Sequence, residues 1–150
     1  MTDAPTAPLR RLELRRTYSA NRVRVFAAWT QAEALKTWWG VSDGFVVTSA
    51  QVDLRVGGRY RLEMTPPPGQ RVTVLTGEYR VIQPPEKLVF TWGFENAAAS
   101  EASLITLQFL EQGDKTQIIL THEYHGPEEI GLDFRRGWEM MFTGLAQVLV

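Results

Sequence analysis

Leu12, Leu14 and Tyr18 fall at even spacing with Glu13, Arg15 and Thr17 between them. This period of two predicts a strand over residues 9–18 with one apolar face, on which Arg16 is the misfit. The period then changes. After Ser19 or Asn21 as a cap, Val25, Phe26 and Trp29 share one side of a short helix, and Thr30-Gln31-Ala32-Glu33 has the form of a capping box opening a second. That second helix carries Leu35, Trp38 and Trp39 inward and stops at Gly40, where a left-handed residue can end it.

From residue 45 the alternation returns, and strands are predicted over residues 45–53, 59–65, 71–82, 87–95, 102–111 and 115–124. Gly57-Gly58 supplies a bend with backbone angles that other residues resist, after which Tyr60, Leu62 and Met64 line one face. Pro66-Pro67-Pro68-Gly69, Gln83-Pro84-Pro85-Glu86 and Gln112-Gly113-Asp114 separate the strands with turn chemistry, so neighbours joined by them pair antiparallel. The small, polar Asn96-Ala97-Ala98-Ala99-Ser100 link is expected to be a mobile hairpin tip. Gly126-Pro127-Glu128-Glu129 starts a long last helix, with two carboxylates at its positive end. Trp138, Met141, Phe142, Leu145, Val148 and Leu149 form its apolar stripe, and Gly131 and Gly144 weaken its propensity locally. The predicted architecture is α+β: a curved antiparallel sheet wrapped around a long C-terminal helix, with two short helices after strand one. Residues 9–150 form a single domain, and residues 1–8 a disordered tail.

Length and charge narrow the partners. A chain of 150 residues buries most of its apolar surface in one domain and can still enclose a cavity. A net charge of -1, with 13 arginines spread among 17 acidic residues, lacks the basic excess that phosphate backbones require, so nucleic acid is not an expected partner. The absence of cysteine removes disulfides, thiolate nucleophiles and thiolate metal ligands, and suits the cytoplasm. The first eight residues lack the basic start and apolar stretch of a signal peptide, and no apolar run reaches the roughly 20 residues of a membrane helix.

A group of residues then supports a resemblance. Val25-Phe26-Ala27-Ala28-Trp29-Thr30, Trp38-Trp39, Asp53-Leu54-Arg55-Val56-Gly57-Gly58, Gly77-Glu78-Tyr79, the run from Pro84 to Trp92, Leu120-Thr121-His122 and Gly137-Trp138 stand in order over nearly the whole chain. Together they resemble the heat-shock-ninety ATPase activator homologue family, within the START-like (SRPBCC) superfamily with the helix-grip fold. The resemblance implies a cavity between sheet and long helix for an apolar or amphipathic small molecule, such as a lipid or a polyketide-like compound. It implies no cofactor and supplies no catalytic set. The family name also implies chaperone work and a stress response. The eukaryotic activators make much of that contact through an additional N-terminal domain for which these 150 residues leave no room, so a chaperone partner is the lesser expectation.

The candidate chemistry has plainer readings beside it. His122-Glu123-Tyr124-His125 has metal-ligating residue types, but the histidines are three apart at a strand end and point to opposite faces unless the turn at Gly126 rotates the second back. No metal is therefore expected. His122 faces inward beside Leu120 and Ile118, either hydrogen-bonded in the core or lining the cavity. No serine sits in a nucleophile elbow, and no glycine pattern cradles a phosphate. A cofactor-free enzyme of the cyclase or lyase kind, which the resemblance allows, would draw on Glu63, Glu78, Arg80 and His122. Against it, Glu63 alternates away from the apolar face, and Glu78 and Arg80 can simply pair. The ligand-binding candidates are Trp39, Tyr60, Tyr79, Phe90, Trp92, Phe109, His122, Trp138 and Phe142, each of which also has core packing as an ordinary role. Trp138 is the first choice, because it lies on the helix stripe and carries an indole N–H that a ligand can accept from. A homodimeric or chaperone-associated interaction module is the remaining expectation.

Overall fold

The computed structural model describes residues 8–98 and 102–149. The expected tail lies outside these residues apart from Pro8, and the expected tip at 96–100 lies partly outside them. The chain runs β1 (Leu9–Tyr18), α1 (Arg22–Thr30), α2 (Ala32–Trp38), a 3-10 turn (Val41–Asp43), β2 (Val46–Val52), β3 (Arg59–Thr65), β4 (Thr73–Gln83), β5 (Lys87–Phe94), β6 (Ser103–Gln112), β7 (Lys115–His125) and α3 (Glu128–Val148). Every expected element is present, and the strand ends agree within two residues.

The seven strands form one antiparallel sheet in the order β1-β7-β6-β5-β4-β3-β2. Strands β2 to β7 follow one another as a meander. The consecutive strands β1 and β2 occupy opposite edges, and α1 and α2 make the crossing between them. The concave face carries the predicted alternation: Leu12, Leu14 and Tyr18; Tyr60, Leu62 and Met64; Ile105, Leu107 and Phe109; and Ile118, Leu120 and His122 are all buried. Arg16, the apparent misfit, holds its guanidinium 5.5 Å from the centre of the Phe142 ring, where a cation is attracted to the aromatic face.

Two local readings are corrected. Thr30 does not cap α2: only Gln31 (φ -94°, ψ 127°) separates the two helices, so Thr30 stays helical and its Oγ1 donates to the Phe26 carbonyl at 3.0 Å. Gln31 takes the cap position of α2 without a side-chain hydrogen bond. Asn21 does cap α1, accepting from the Arg24 amide at 2.9 Å. Pro127 stands at the N-cap of α3, one place before the expected first helical position.

Gly77 on β4 sits where β5 and the Tyr60 ring approach the strand closely. A Cβ there would collide with the Thr91 carbonyl oxygen and lie 2.7 Å from the Tyr60 ring. The ring of Tyr60 therefore lies over a position without a side chain, and its hydroxyl donates to the Thr91 carbonyl at 2.7 Å. The Glu78 amide turns to Thr91 Oγ1 at 2.8 Å, next to the register shift between Tyr79 and Val81. Gly77→Ala is expected to destabilise the protein by roughly 3 kcal/mol, because the obstructing atoms are backbone and cannot swing aside. Urea unfolding of variant and parent measures this, and a loss below about 1 kcal/mol would contradict the packing described.

Candidate ligand-binding site

The interior between sheet and α3 is built from aromatic rings brought in by seven elements: α1, α2, α3, β3, β4, β5 and β7. At its centre Trp29, from α1, lies with ring centroids 4.8 Å from Trp38, 5.9 Å from Trp39, 6.2 Å from Trp138 and 6.5 Å from Phe142. Beneath the crossing helices, Tyr60, Tyr79 and Phe90 form a second group with centroids 5.6 to 6.4 Å apart. Toward the N-terminal half of α3, Trp92, His122, Tyr124 and Phe134 form a third, which Trp138 joins to the first.

These rings nearly fill the expected gap. The space lined by Trp29, Leu35, Trp39, Tyr60, Leu62, Tyr79 and Phe90 is about 20 Å³, which is room for about one water molecule. Larger spaces open at the mouth of the grip. One cleft of about 210 Å³ is lined by Trp39, Gly40, Asp43, Phe45, Met64, Thr73, Leu75, Trp92, Phe94 and Met141. Another of about 250 Å³ is lined by Trp92, Gly93, Phe94, Ala97, Ser103, Tyr124, His125, Ile130 and Phe134. Trp92 and Phe94 line both, and Phe94 is 41% exposed. A shallow groove of about 530 Å³ along Arg71 to Val74 and Phe94 to Asn96 is larger, but it has no buried unpartnered donor among its lining.

The nine candidate ligand residues thus separate. Trp39, Tyr60, Tyr79 and Phe90 surround the one-water space, and Trp39 and Trp92 line the open clefts. Phe109, His122, Trp138 and Phe142 are buried and line none of these three spaces. Phe94, Phe134 and Met141 also line the clefts and are not among the nine candidates. Phe94 continues the alternation of Phe90 and Trp92, and Phe134 stands one helical turn before Trp138, so both signals were available in the pattern.

His122 is fully buried and stacked on Phe134 at 4.3 Å. Its Nδ1 accepts from the Trp138 indole at 2.9 Å, so the N–H expected to be free for a ligand is already donated. That bond assigns the remaining imidazole proton to Nε2, which has no acceptor among the described protein groups. Burial lowers the His122 pKa from 6.5 to about 4, so the ring is neutral at physiological pH. The indole N–H groups of Trp29, Trp39 and Trp92 are likewise buried without a protein acceptor. Each such donor costs on the order of 1–3 kcal/mol when left unmet.

The acid–base candidates do not meet. Arg80 Nε donates to Glu78 Oε1 at 2.8 Å on the outer face, and Glu63 lies 3.8 Å from Arg61 there, while His122 is inside. His125 is exposed where His122 is buried, and among the described residues no group of three or more His, Asp or Glu could hold a metal. Among the described residues, no helix is long and apolar enough to cross a membrane.

The His122 shift has a signed consequence. Its folded value lies below the unfolded one, so the folded protein binds fewer protons between them. The associated stability is fully present above about pH 6.5 and is lost as pH falls toward 4. The loss should amount to roughly 3 kcal/mol and should be absent from His122→Phe. Urea titrations of both proteins across this window test it, and parallel pH profiles would count against the neutral buried imidazole.

Comparison with known proteins agrees with this architecture. A Chromobacterium violaceum structure superposes with a TM-score of 0.81 at 24% identity, over 93% of this chain and 96% of that one. A Rhodobacter sphaeroides structure does so with a TM-score of 0.78 at 26% identity, over 93% and 91%. An HSP90 activator from Plasmodium falciparum matches with a TM-score of 0.60 at 28% identity, over 77% and 74%. No curated protein matches. Residues 19–150 match the family described as Activator of Hsp90 ATPase homolog 1-like protein, and the chain belongs to that family.

Proposed function

We propose that this protein binds a small apolar or amphipathic molecule in the clefts at the mouth of the grip, on either side of Trp92 and Phe94. The observation that carries the reading is the open, mainly apolar space on both sides of Trp92 and Phe94. Clefts of about 210 and 250 Å³ meet at two aromatic side chains. Apolar burial drives association at about 25 cal/mol per Å². The nearly filled interior supports a site at the mouth over one deep between sheet and helix. An acid–base enzyme finds less support, because Glu63, Glu78 and Arg80 lie outside and His122 Nδ1 is occupied.

A second reading, contact with an Hsp90-type chaperone, is favoured by the family and by the Plasmodium falciparum activator among the structural neighbours. It predicts that the purified protein stimulates the ATPase of such a chaperone. An unchanged rate at saturating protein counts against it.

For the first reading the probe is N-phenyl-1-naphthylamine, a neutral dye whose fluorescence rises in apolar surroundings. Saturable binding is expected, weakened about tenfold or more by Trp92→Ala and unchanged by Leu132→Ala, which alters an exposed side chain that lines neither cleft. No saturable binding, or equal affinity of parent and Trp92→Ala, would overturn it.

A further inference from the structure

Two of the four methionines meet the turn that ends α2. Beyond the last backbone bond of that helix, from the Trp39 amide to the Leu35 carbonyl at 3.0 Å, the next amide, that of Gly40, donates to Met141 Sδ at 3.3 Å. Gly40 is left-handed (φ 72°), and its carbonyl accepts from the Asp43 amide at 3.1 Å and the Phe45 amide at 3.0 Å, so the turn fixes the direction of its N–H. Met64 Sδ lies 3.7 Å from where a Cβ on Gly40 would stand. Both methionines line the cleft of about 210 Å³, but Met64 is only 7% exposed, whereas Met141 is partly exposed. Met140 is also partly exposed and lines neither cleft. A thioether is a weak acceptor, so the Gly40 amide is poorly matched by the group it meets.

We propose that Met141 is a reversible oxidation site: a peroxide converts it to the sulfoxide, the Gly40 amide receives the new oxygen, and the cleft wall turns from apolar to polar. In this step a sulfur lone pair attacks one peroxide oxygen, the S–O bond forms as the O–O bond breaks, and the proton on the transferred oxygen passes to the departing one. Sulfur is oxidised by two electrons, and hydrogen peroxide is reduced to water. The Gly40 N–H engages one of the two sulfur lone pairs and leaves the other for the oxidant. The sulfoxide oxygen is a stronger acceptor than the thioether, so an amide already held in place by the turn gains a better partner. A flexible apolar side chain on the cleft wall thereby becomes polar without acquiring a net charge. A thiol-dependent reductase reverses the step, oxidising two thiols to a disulfide while the oxygen leaves as water. Only the consequence for binding rests on the reading of the cleft as a ligand site; the oxidation and the Gly40 contact do not.

The test is mild hydrogen peroxide treatment of the full chain, followed by peptide mass mapping, by the Gly40 amide resonance in isotope-labelled protein and by titration with N-phenyl-1-naphthylamine. Met141 is expected to oxidise several-fold faster than Met64, the Gly40 amide proton to move downfield, and dye affinity to fall about tenfold. Met140→Leu should respond to peroxide as the parent does. In Met141→Leu, a change of similar volume, peroxide should leave both the Gly40 resonance and the dye affinity of that variant where they were. Methionine sulfoxide reductase with dithiothreitol should restore both readouts in the oxidised parent. The inference is overturned if Met141 oxidises no faster than Met64, if the Gly40 resonance stays in place in the parent or moves equally in Met141→Leu, or if the dye binds and its affinity survives oxidation. If the dye does not bind the untreated protein, the site reading fails, and the mass map and the Gly40 resonance decide this inference by themselves.

Discussion

The approach of α3 to the end of α2 sets how much space exists between helix and sheet. At Gly144 a Cβ would lie 2.9 Å from the Trp38 carbonyl oxygen and 3.2 Å from Ser42 Oγ, so only glycine lets the backbones come this close. From the other side, the Tyr18 hydroxyl donates to the Phe142 carbonyl at 3.1 Å and draws the same part of the helix onto β1. Trp38 in turn donates its indole N–H to the Ala28 carbonyl at 2.9 Å, locking α2 to α1. The three helices and β1 are thereby held around one point, and the Trp29 ring occupies it.

That closure explains why the deep interior is filled. Each aromatic pair around Trp29 contributes on the order of 1 kcal/mol beyond its buried area, and their edge-on geometries favour mutual packing over empty space. The rings brought in by the sheet, Tyr60, Tyr79 and Phe90, pack against each other in the same way. Among the described residues, the clefts that α3 shares with the sheet lie beside Trp92 and Phe94. A fold that can enclose a large cavity has here spent most of its concavity on its own side chains and kept room at the mouth.

His122 shows how a polar group fits such an interior. Trp138 satisfies one ring nitrogen and Phe134 covers a face, so the neutral form is held and the charged form is excluded. Its position makes it a structural partner of the helix. Membership of the activator family is consistent with this economy, since a common scaffold can serve binding and partner contact through different surfaces.

Strand and helix positions were legible because alternation at Leu12 and Leu14, at Tyr60, Leu62 and Met64, and the three-to-four spacing from Trp138 to Leu145 each report burial on one face. Aromatic identity also marked the residues that approach the interior. Which aromatics meet each other and which meet open space was not legible, because that depends on distances between elements far apart in the chain. The Gly144 contact with Trp38, the Gly77 contact with Thr91 and the Trp138 bond to His122 set those distances. The sequence by itself determined the order of elements, the inward faces and the family. Only the tertiary structure decided that the interior is closed, that Trp138 spends its donor on His122, and that the open space lies at Trp92 and Phe94, since periodicity encodes the direction of a side chain and not the separation of the surfaces it bridges.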